Sequence, residues 1–95
     1  MVKNLQKSLI EKETLYGANN YSPLPLVLNK GQGVYLWDVD GNKYLDMMSA
    51  YSAVSHGHSH PELINVLVEQ SKKLAITSRA FYTEPFGEYN IKWLF

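Results

Sequence analysis

His56, His58 and His60 alternate along Ser55-His56-Gly57-His58-Ser59-His60-Pro61, a spacing that in an extended strand would project all three imidazoles to one side, as a metal cluster requires. The run closes a segment from Met47 to Pro61 that is crowded with small residues and carries Tyr51. Polar groups at Tyr51, Ser55, His56 and His58 on a tight backbone are what a small-molecule pocket needs. A metal centre wants a further partner, however, and no carboxylate or cysteine lies nearby in sequence, while Gly57 invites a turn. The histidines are therefore read as groups that hydrogen-bond backbone at a tight turn, and no metal ligand is assigned. Ser55, His56 and Asp46 compose a Ser-His-Asp set on paper, but neighbours in sequence seldom point together and no Gly-x-Ser-x-Gly elbow is present. No catalytic residue follows from them. Tyr21 and Tyr51 are stronger candidates. Each sits among Pro, Ser and Ala in a non-helical stretch where a phenol can face a cavity, beside the plainer role of an edge tyrosine whose hydroxyl meets water.

Two further motifs dissolve on inspection. Asp38-Val39-Asp40-Gly41-Asn42 has the look of a calcium loop, yet Leu36 stands where the first acidic ligand belongs and Met47 where the bidentate glutamate belongs, so the segment reads as a hairpin turn. Gly31-Gln32-Gly33 begins like a dinucleotide fingerprint, but Leu36 replaces the third glycine and a strand follows, so no phosphate cradle is supported and no cofactor-binding residue is assigned.

The elements that must position these residues follow from pattern. Ser8 with Glu11 forms a capping box, Leu5, Leu9 and Tyr16 fall near one face, and Gly17 supplies a stop, which predicts a short first helix. Pro23 and Pro25 then hold Ala18 to Pro25 extended. Leu26 to Lys30, Val34 to Asp38 and Lys43 to Asp46 are β-prone runs parted by glycine turns, giving a three-stranded antiparallel meander. Apolar groups on both of its faces imply that the sheet packs against more protein. Pro61 suits a first helical position, capped by Ser59 or His60, and Leu63, Ile64, Leu67, Ser71 and Leu74 mark the buried stripe of an amphipathic helix. Glu84 to Glu88 begins another helix with little room to finish. The fold class is thus α+β.

Composition bounds the function. A chain of 95 residues holds at most one small domain and buries about 60–65% of its unfolded surface, which leaves little room for a deep cavity. At 45% hydrophobic and 19% charged residues it expects a core. Nine basic and nine acidic residues cancel, and no basic face clusters beyond Lys72-Lys73, so nucleic acid is not an expected partner. The absence of cysteine suits a reducing compartment, the longest apolar run is short and holds Pro25, and the first ten residues lack a continuous apolar stretch. A cytoplasmic chain with neither signal peptide nor membrane association is expected.

Four ordered blocks carry a resemblance over roughly residues 8 to 89. These are Tyr16-Gly-Ala-Asn-Asn-Tyr21-Ser-Pro-Leu-Pro25, Gly33-Val-Tyr-Leu-Trp-Asp38, Tyr51-Ser-Ala-Val-Ser-His-Gly-His-Ser-His-Pro61 and Ser78-Arg-Ala-Phe-Tyr82. Together they resemble the beginning of the ornithine aminotransferase family, class III pyridoxal-phosphate enzymes of fold type I. The resemblance implies a dimeric enzyme whose smaller domain is built partly from this N-terminal segment. It implies a ping-pong transfer of ornithine's terminal amino group to 2-oxoglutarate, giving glutamate semialdehyde and glutamate, in proline biosynthesis or arginine degradation. On the same ground Tyr21 is the residue that helps hold the α-amino or α-carboxylate end of ornithine, and Tyr51 is the pocket wall that sets substrate choice.

The resemblance also implies what this stretch leaves out. The family's Schiff-base lysine, pyridinium partner and phosphate cup lie far downstream of the matched blocks, and Lys3, Lys7, Lys12, Lys30, Lys43, Lys72, Lys73 and Lys92 sit in polar contexts that offer little desolvation. Residues 1–89 are accordingly expected to be an incomplete aminotransferase domain and residues 90–95 a divergent tail, the whole inactive and without cofactor on its own. A frameshift or a truncated gene would produce such a chain. The alternatives are a piece of an acetylornithine or 4-aminobutyrate aminotransferase, or a non-catalytic interaction module that forms homo-oligomers or aggregates through the sheet and the Ile91-Trp93-Leu94-Phe95 tail.

Overall fold

The computed structural model describes residues 4–94. Its elements run α1 (Asn4–Tyr16), β1 (Leu28–Gln32), β2 (Tyr35–Asp38), β3 (Lys43–Leu45), a one-turn element α2 (Ser49–Ser52), α3 (Pro61–Lys73) and α4 (Glu84–Leu94). The α+β class holds, with a first helix, an antiparallel sheet of order β1-β2-β3 and an amphipathic helix after it. Two compact units divide the chain between Ile64 and Asn65.

In the first unit α1 is already helical at Asn4, before the position that the capping box implies, so Ser8 is an interior helical residue and not the cap. Four orphan amides are common to any helix start, and a sequence match alone does not say which of two nearby positions takes them. Gly17 does end the helix: its N–H reaches Glu13 O at 2.7 Å, and a Cβ there would stand 2.6 Å from the same oxygen. The Asn19 side-chain amide donates to Thr14 O at 2.8 Å and satisfies another terminal carbonyl.

The first strand lies two residues later than Leu26 to Lys30, because Leu26 and Val27 spend their amides elsewhere. Leu26 N–H bends back to Leu24 O at 2.7 Å, and Val27 N–H goes to the Gln6 side-chain oxygen at 2.9 Å. Pairing then runs Lys30↔Trp37, Gly31↔Leu36 and Gln32↔Tyr35, with a bulge between Leu28 and Lys30, and continues Tyr35↔Leu45, Leu36↔Tyr44 and Trp37↔Lys43. Cross-strand register puts Lys30 and Lys43 over the Trp37 ring, at 4.5 and 5.6 Å from its centroid, and Lys43 3.8 Å from that of Tyr35. Cations stacked on aromatic faces make this side of the sheet a wet one.

The second β-turn is organised by a single carboxylate. Asp38, 2% exposed, accepts the amides of Asp40 and Asn42 on Oδ1 and the Asn42 side-chain amide and Tyr44 hydroxyl on Oδ2, all at 2.9 Å. Gln6 Nε2, on α1, reaches Asp40 at 2.8 Å and Asp38 at 3.4 Å. Burial pushes the Asp38 carboxyl up, but the Asn42 side chain, the Asn42 amide, Tyr44 and the Asp40 amide together outweigh it and bring it to about 2. With its oxygens engaged in this way, the segment is the hairpin turn read from the sequence. Tyr44 is raised in turn, first by donating to Asp38, then by burial and the charges of Asp38 and Asp40.

In the second unit, residues 77–83 form an open stretch turned by Ser78, whose Oγ and carbonyl accept Ala80 N–H and Phe81 N–H, each at 3.1 Å. Helix α4 continues through Leu94, with Phe86 stacked on Tyr89 and Trp93 tilted against Tyr89 at centroid distances of 6.3 and 6.0 Å. Phe95 lies outside the described residues, as does Lys3.

One expectation is overturned. The α3 stripe is not buried: Leu63, Ile64, Leu67 and Leu74 are all exposed, and among the described residues no apolar side chain is buried. Among the described residues the only buried side chains are polar, Gln6 and Asp38. The helical spacing is real, but burial needs a layer opposite the stripe, and among the described residues the elements in extensive contact are the strands of the one small sheet.

Candidate functional site

The segment singled out by its histidines and Tyr51 is built around Asp46, just past β3. Asp46 Oδ1 accepts the amides of Met48 and Ser49 at 3.0 and 2.9 Å, and its Oδ2 meets His58 Nε2 at 2.6 Å. Four successive left-handed residues follow, with positive φ at Ser49, Ala50, Tyr51 and Ser52 (49°, 47°, 56° and 73°). L-residues disfavour this region by about 1–2 kcal/mol each and visit it singly, so a run of four non-glycine residues is a strained feature. Local bonds fasten it: Tyr51 N–H to Met48 O at 3.0 Å, Ala53 N–H to Ala50 O at 3.2 Å and Val54 N–H to Ser49 O at 3.1 Å. Tyr51 stands at its crest, 82% exposed, where the phenol is presented outward rather than packed.

The far side of the clamp is the histidine turn. His58 exchanges both backbone bonds with Gly33, at 2.8 and 3.1 Å, so the turn docks on the β1–β2 hairpin. Glycine is required at this contact. A Cβ on Gly31 would stand 2.8 Å from His58 Cβ, and one on Gly57, whose φ is +82°, would stand 3.0 Å from Gly33 Cα. The Gly31-Gln32-Gly33 step thus serves as a landing for an imidazole. Asp46 is held below the ordinary carboxylate range, first by Ser49 N–H and then by His58, against the upward push of burial, with Met48 N–H and the His58 charge adding to the lowering.

The three histidines part company here. His58 binds Asp46, His60 Nδ1 accepts Glu62 N–H at 3.2 Å and so caps α3, and the His56 ring meets the His60 ring edge-on at 6.5 Å. An imidazole bonded to backbone at a tight turn is found at His60, whereas the His58 imidazole meets a carboxylate and only its main chain pairs with Gly33. No three side chains of the metal-ligating kinds converge among the described residues. The Ser-His-Asp set is not assembled either, since Asp46 takes His58 and not His56.

An open hollow of about 310 Å³ beside the clamp is lined by Gly33, Asp46, Ser49, Ser52, Ser55 and His58, among others. Tyr21 lines a different hollow, of about 630 Å³, between the end of α1 and the Pro23-Leu24-Pro25 stretch. Tyr51 lines neither hollow, so the two tyrosines share a unit but no lining. Sequence reasoning weighed Asp46 only beside Ser55 and His56 and Asp38 only within a turn, and assigned neither its observed partners. The available signal was Asp-x-Asp-Gly-Asn for the turn, whereas Asp46 pairs with a residue twelve positions on, which no local motif marks.

Pyridoxal phosphate finds no fit among the described residues alone. Lys7, Lys12, Lys30, Lys43, Lys72, Lys73 and Lys92 are all exposed, and none is held in a dry cavity that would favour a neutral amine.

The class-III aminotransferase family model matches residues 16–93. The mitochondrial ornithine aminotransferase of Drosophila ananassae is 54% identical over 86 residues, 90% of this chain and 20% of that protein. The crystal structure of acetylornithine aminotransferase from Elizabethkingia anophelis superposes with a TM-score of 0.90 at 57% identity, over 93% of this chain and 23% of that one. The ornithine aminotransferase of Toxoplasma gondii, whose structure has pyridoxal phosphate at partial occupancy in its active site, follows at a TM-score of 0.81 and 37% identity, over 83% and 18%. The chain spans about a fifth of the length of these relatives. No helix among the described residues is long and apolar enough to cross a membrane. With its four sequence blocks, its meander and its histidine turn all falling within the matched region, the chain belongs to the class-III aminotransferase family.

Proposed function

We propose that the chain supplies the donor-orienting N-terminal part of an ornithine aminotransferase. The complete enzyme moves the terminal amino group of ornithine to 2-oxoglutarate and uses pyridoxal phosphate as the amine carrier. Tyr21 holds the α-amino or α-carboxylate end of ornithine, and Tyr51 walls the pocket and sets donor choice. The observation that carries this reading is the left-handed turn that presents Tyr51 outward under the grip of Asp46. Strain of this kind is kept where a side chain must be aimed. Clamping the distal end of a diamine places its reacting nitrogen, and such positioning supplies several kcal/mol of a barrier.

The isolated chain is without transaminase activity, because its described lysines are exposed and the amine that must condense with the cofactor lies in the remainder of the enzyme. Incubating the purified 95-residue chain with ornithine, 2-oxoglutarate and pyridoxal phosphate tests this. No glutamate semialdehyde is expected. Turnover, or an imine absorbance discharged by borohydride, would overturn it.

A second reading, an acetylornithine aminotransferase, is favoured by the 57% identity to the Elizabethkingia anophelis enzyme. Grafting residues 16–93 into the Drosophila ananassae ornithine aminotransferase and comparing kcat/KM for ornithine and N-acetylornithine separates the two. Retained preference for ornithine supports the first, and a switch to the acetylated donor the second.

A further inference from the structure

We propose that Asp46 and His58 are positioning residues for amine-donor recognition, locking the left-handed turn so that Tyr51 points at the donor. The argument rests on the proposed role of Tyr51 and extends it to two residues that touch no substrate. Asp46 Oδ1 holds the two amides at the turn's start, and Oδ2 is tied at 2.6 Å to an imidazole whose own backbone is paired with Gly33. The chain thereby connects a strained turn to the β1–β2 hairpin through one carboxylate. Gly31 and Gly57 leave the room that this docking needs, since a side chain at either would meet His58 or Gly33 at 3.0 Å or less. Remove the imidazole and Asp46 keeps its amides but loses its anchor, and the turn is freed to relax toward right-handed backbone. Tyr51 then swings away from its bearing without any change in its own chemistry.

Two measurements test the clamp separately from the role of Tyr51. On the full chain, Cα and Cβ chemical shifts of Ser49 to Ser52 report the left-handed backbone directly. Left-handed shifts are expected in the native chain and in His58→Gln, whose side-chain amide can reach the same carboxylate, with loss in His58→Ala and Asp46→Ala. Left-handed shifts that persist in His58→Ala, or that are absent from the native chain, would overturn the clamp. In the grafted Drosophila ananassae enzyme, Tyr51→Phe and His58→Ala are each expected to lower kcat/KM for ornithine by about 10- to 100-fold, leaving KM for 2-oxoglutarate unchanged, with His58→Gln restoring most of the loss. An unaltered ornithine profile in Tyr51→Phe would refute the proposed role of Tyr51 itself. A loss in Tyr51→Phe with none in His58→Ala would refute only the clamp. If Asp46→Ala gives no soluble enzyme, Asp46→Asn, which keeps an acceptor for the two amides, joins His58→Ala in the comparison.

Discussion

His58 Nε2 lies 2.6 Å from Asp46 Oδ2, and that contact joins the only run of consecutive left-handed non-glycine residues among those described to the β1–β2 hairpin. A family resemblance points to Tyr51, and this contact fastens the turn that carries it.

The bond gives the turn an acid limit. Asp46 binds a proton less readily folded than unfolded, so the unfolded chain takes up more protons on acidification. Its contribution is therefore complete above the unfolded carboxylate value of about 3.9 and is lost as pH falls through the lowered folded value. The left-handed shifts of Ser49 to Ser52 are expected to hold at neutral pH and to disappear on acidification, with Asp46→Asn removing that dependence. A turn that loosened on raising the pH from 4 to 7 would contradict the sign.

Asp38 should behave as a separate device whose contribution is lost only as pH falls through about 2. Asp38→Ala leaves Asp40 N–H, Asn42 N–H and the Tyr44 hydroxyl without their acceptor and takes from Gln6 one of its two carboxylate contacts. Amide exchange at Asp40 and Asn42 is expected to quicken by roughly tenfold or more, while the Ser49 to Ser52 shifts stay in place. Equal loosening at both places would mean that the two carboxylates belong to one cooperative unit.

The parts of this chain that were legible in its sequence are those set by short-range rules. Gly17 ended α1, the Asp-x-Asp-Gly-Asn run turned the hairpin, and Pro61 opened α3 because each acts on backbone within a few residues. What escaped needed distance. Val27 N–H is taken by Gln6 from 21 residues away, which shifted the first strand, and the Asp46 to His58 pair spans twelve. The α3 periodicity was readable, but whether a stripe is buried depends on what lies across from it, and no pattern along one helix carries that.

Gly31→Ala tests the landing of the histidine turn. The new methyl group would stand 2.8 Å from His58 Cβ, an atom too close to the backbone to swing aside, so the turn must lift from the hairpin. Overpacking of this kind costs about 1–3 kcal/mol. Thermal unfolding of the grafted enzyme should move down, and kcat/KM for ornithine should fall as in His58→Ala. Ala at Gly33, where a Cβ meets nothing within 4 Å but φ is +58°, carries backbone strain alone and is expected to cost less.

The uncovered stripe of α3 predicts how the 95-residue chain behaves in water. Leu63 and Leu67 are 53% and 64% exposed, one turn apart on a single face, and Ile64 and Leu74 extend the same apolar row. Such a surface binds hydrophobic dyes and seeks a second apolar partner. Burying one leucine is worth about 1.5–3 kcal/mol, and each 1.4 kcal/mol is tenfold in an equilibrium constant. Leu67→Glu is therefore expected to weaken self-association by about tenfold or more in sedimentation velocity and to reduce dye fluorescence, while leaving the Asp46 clamp untouched. A native chain that sediments as a compact monomer with little dye binding would show that the stripe finds its cover within the chain.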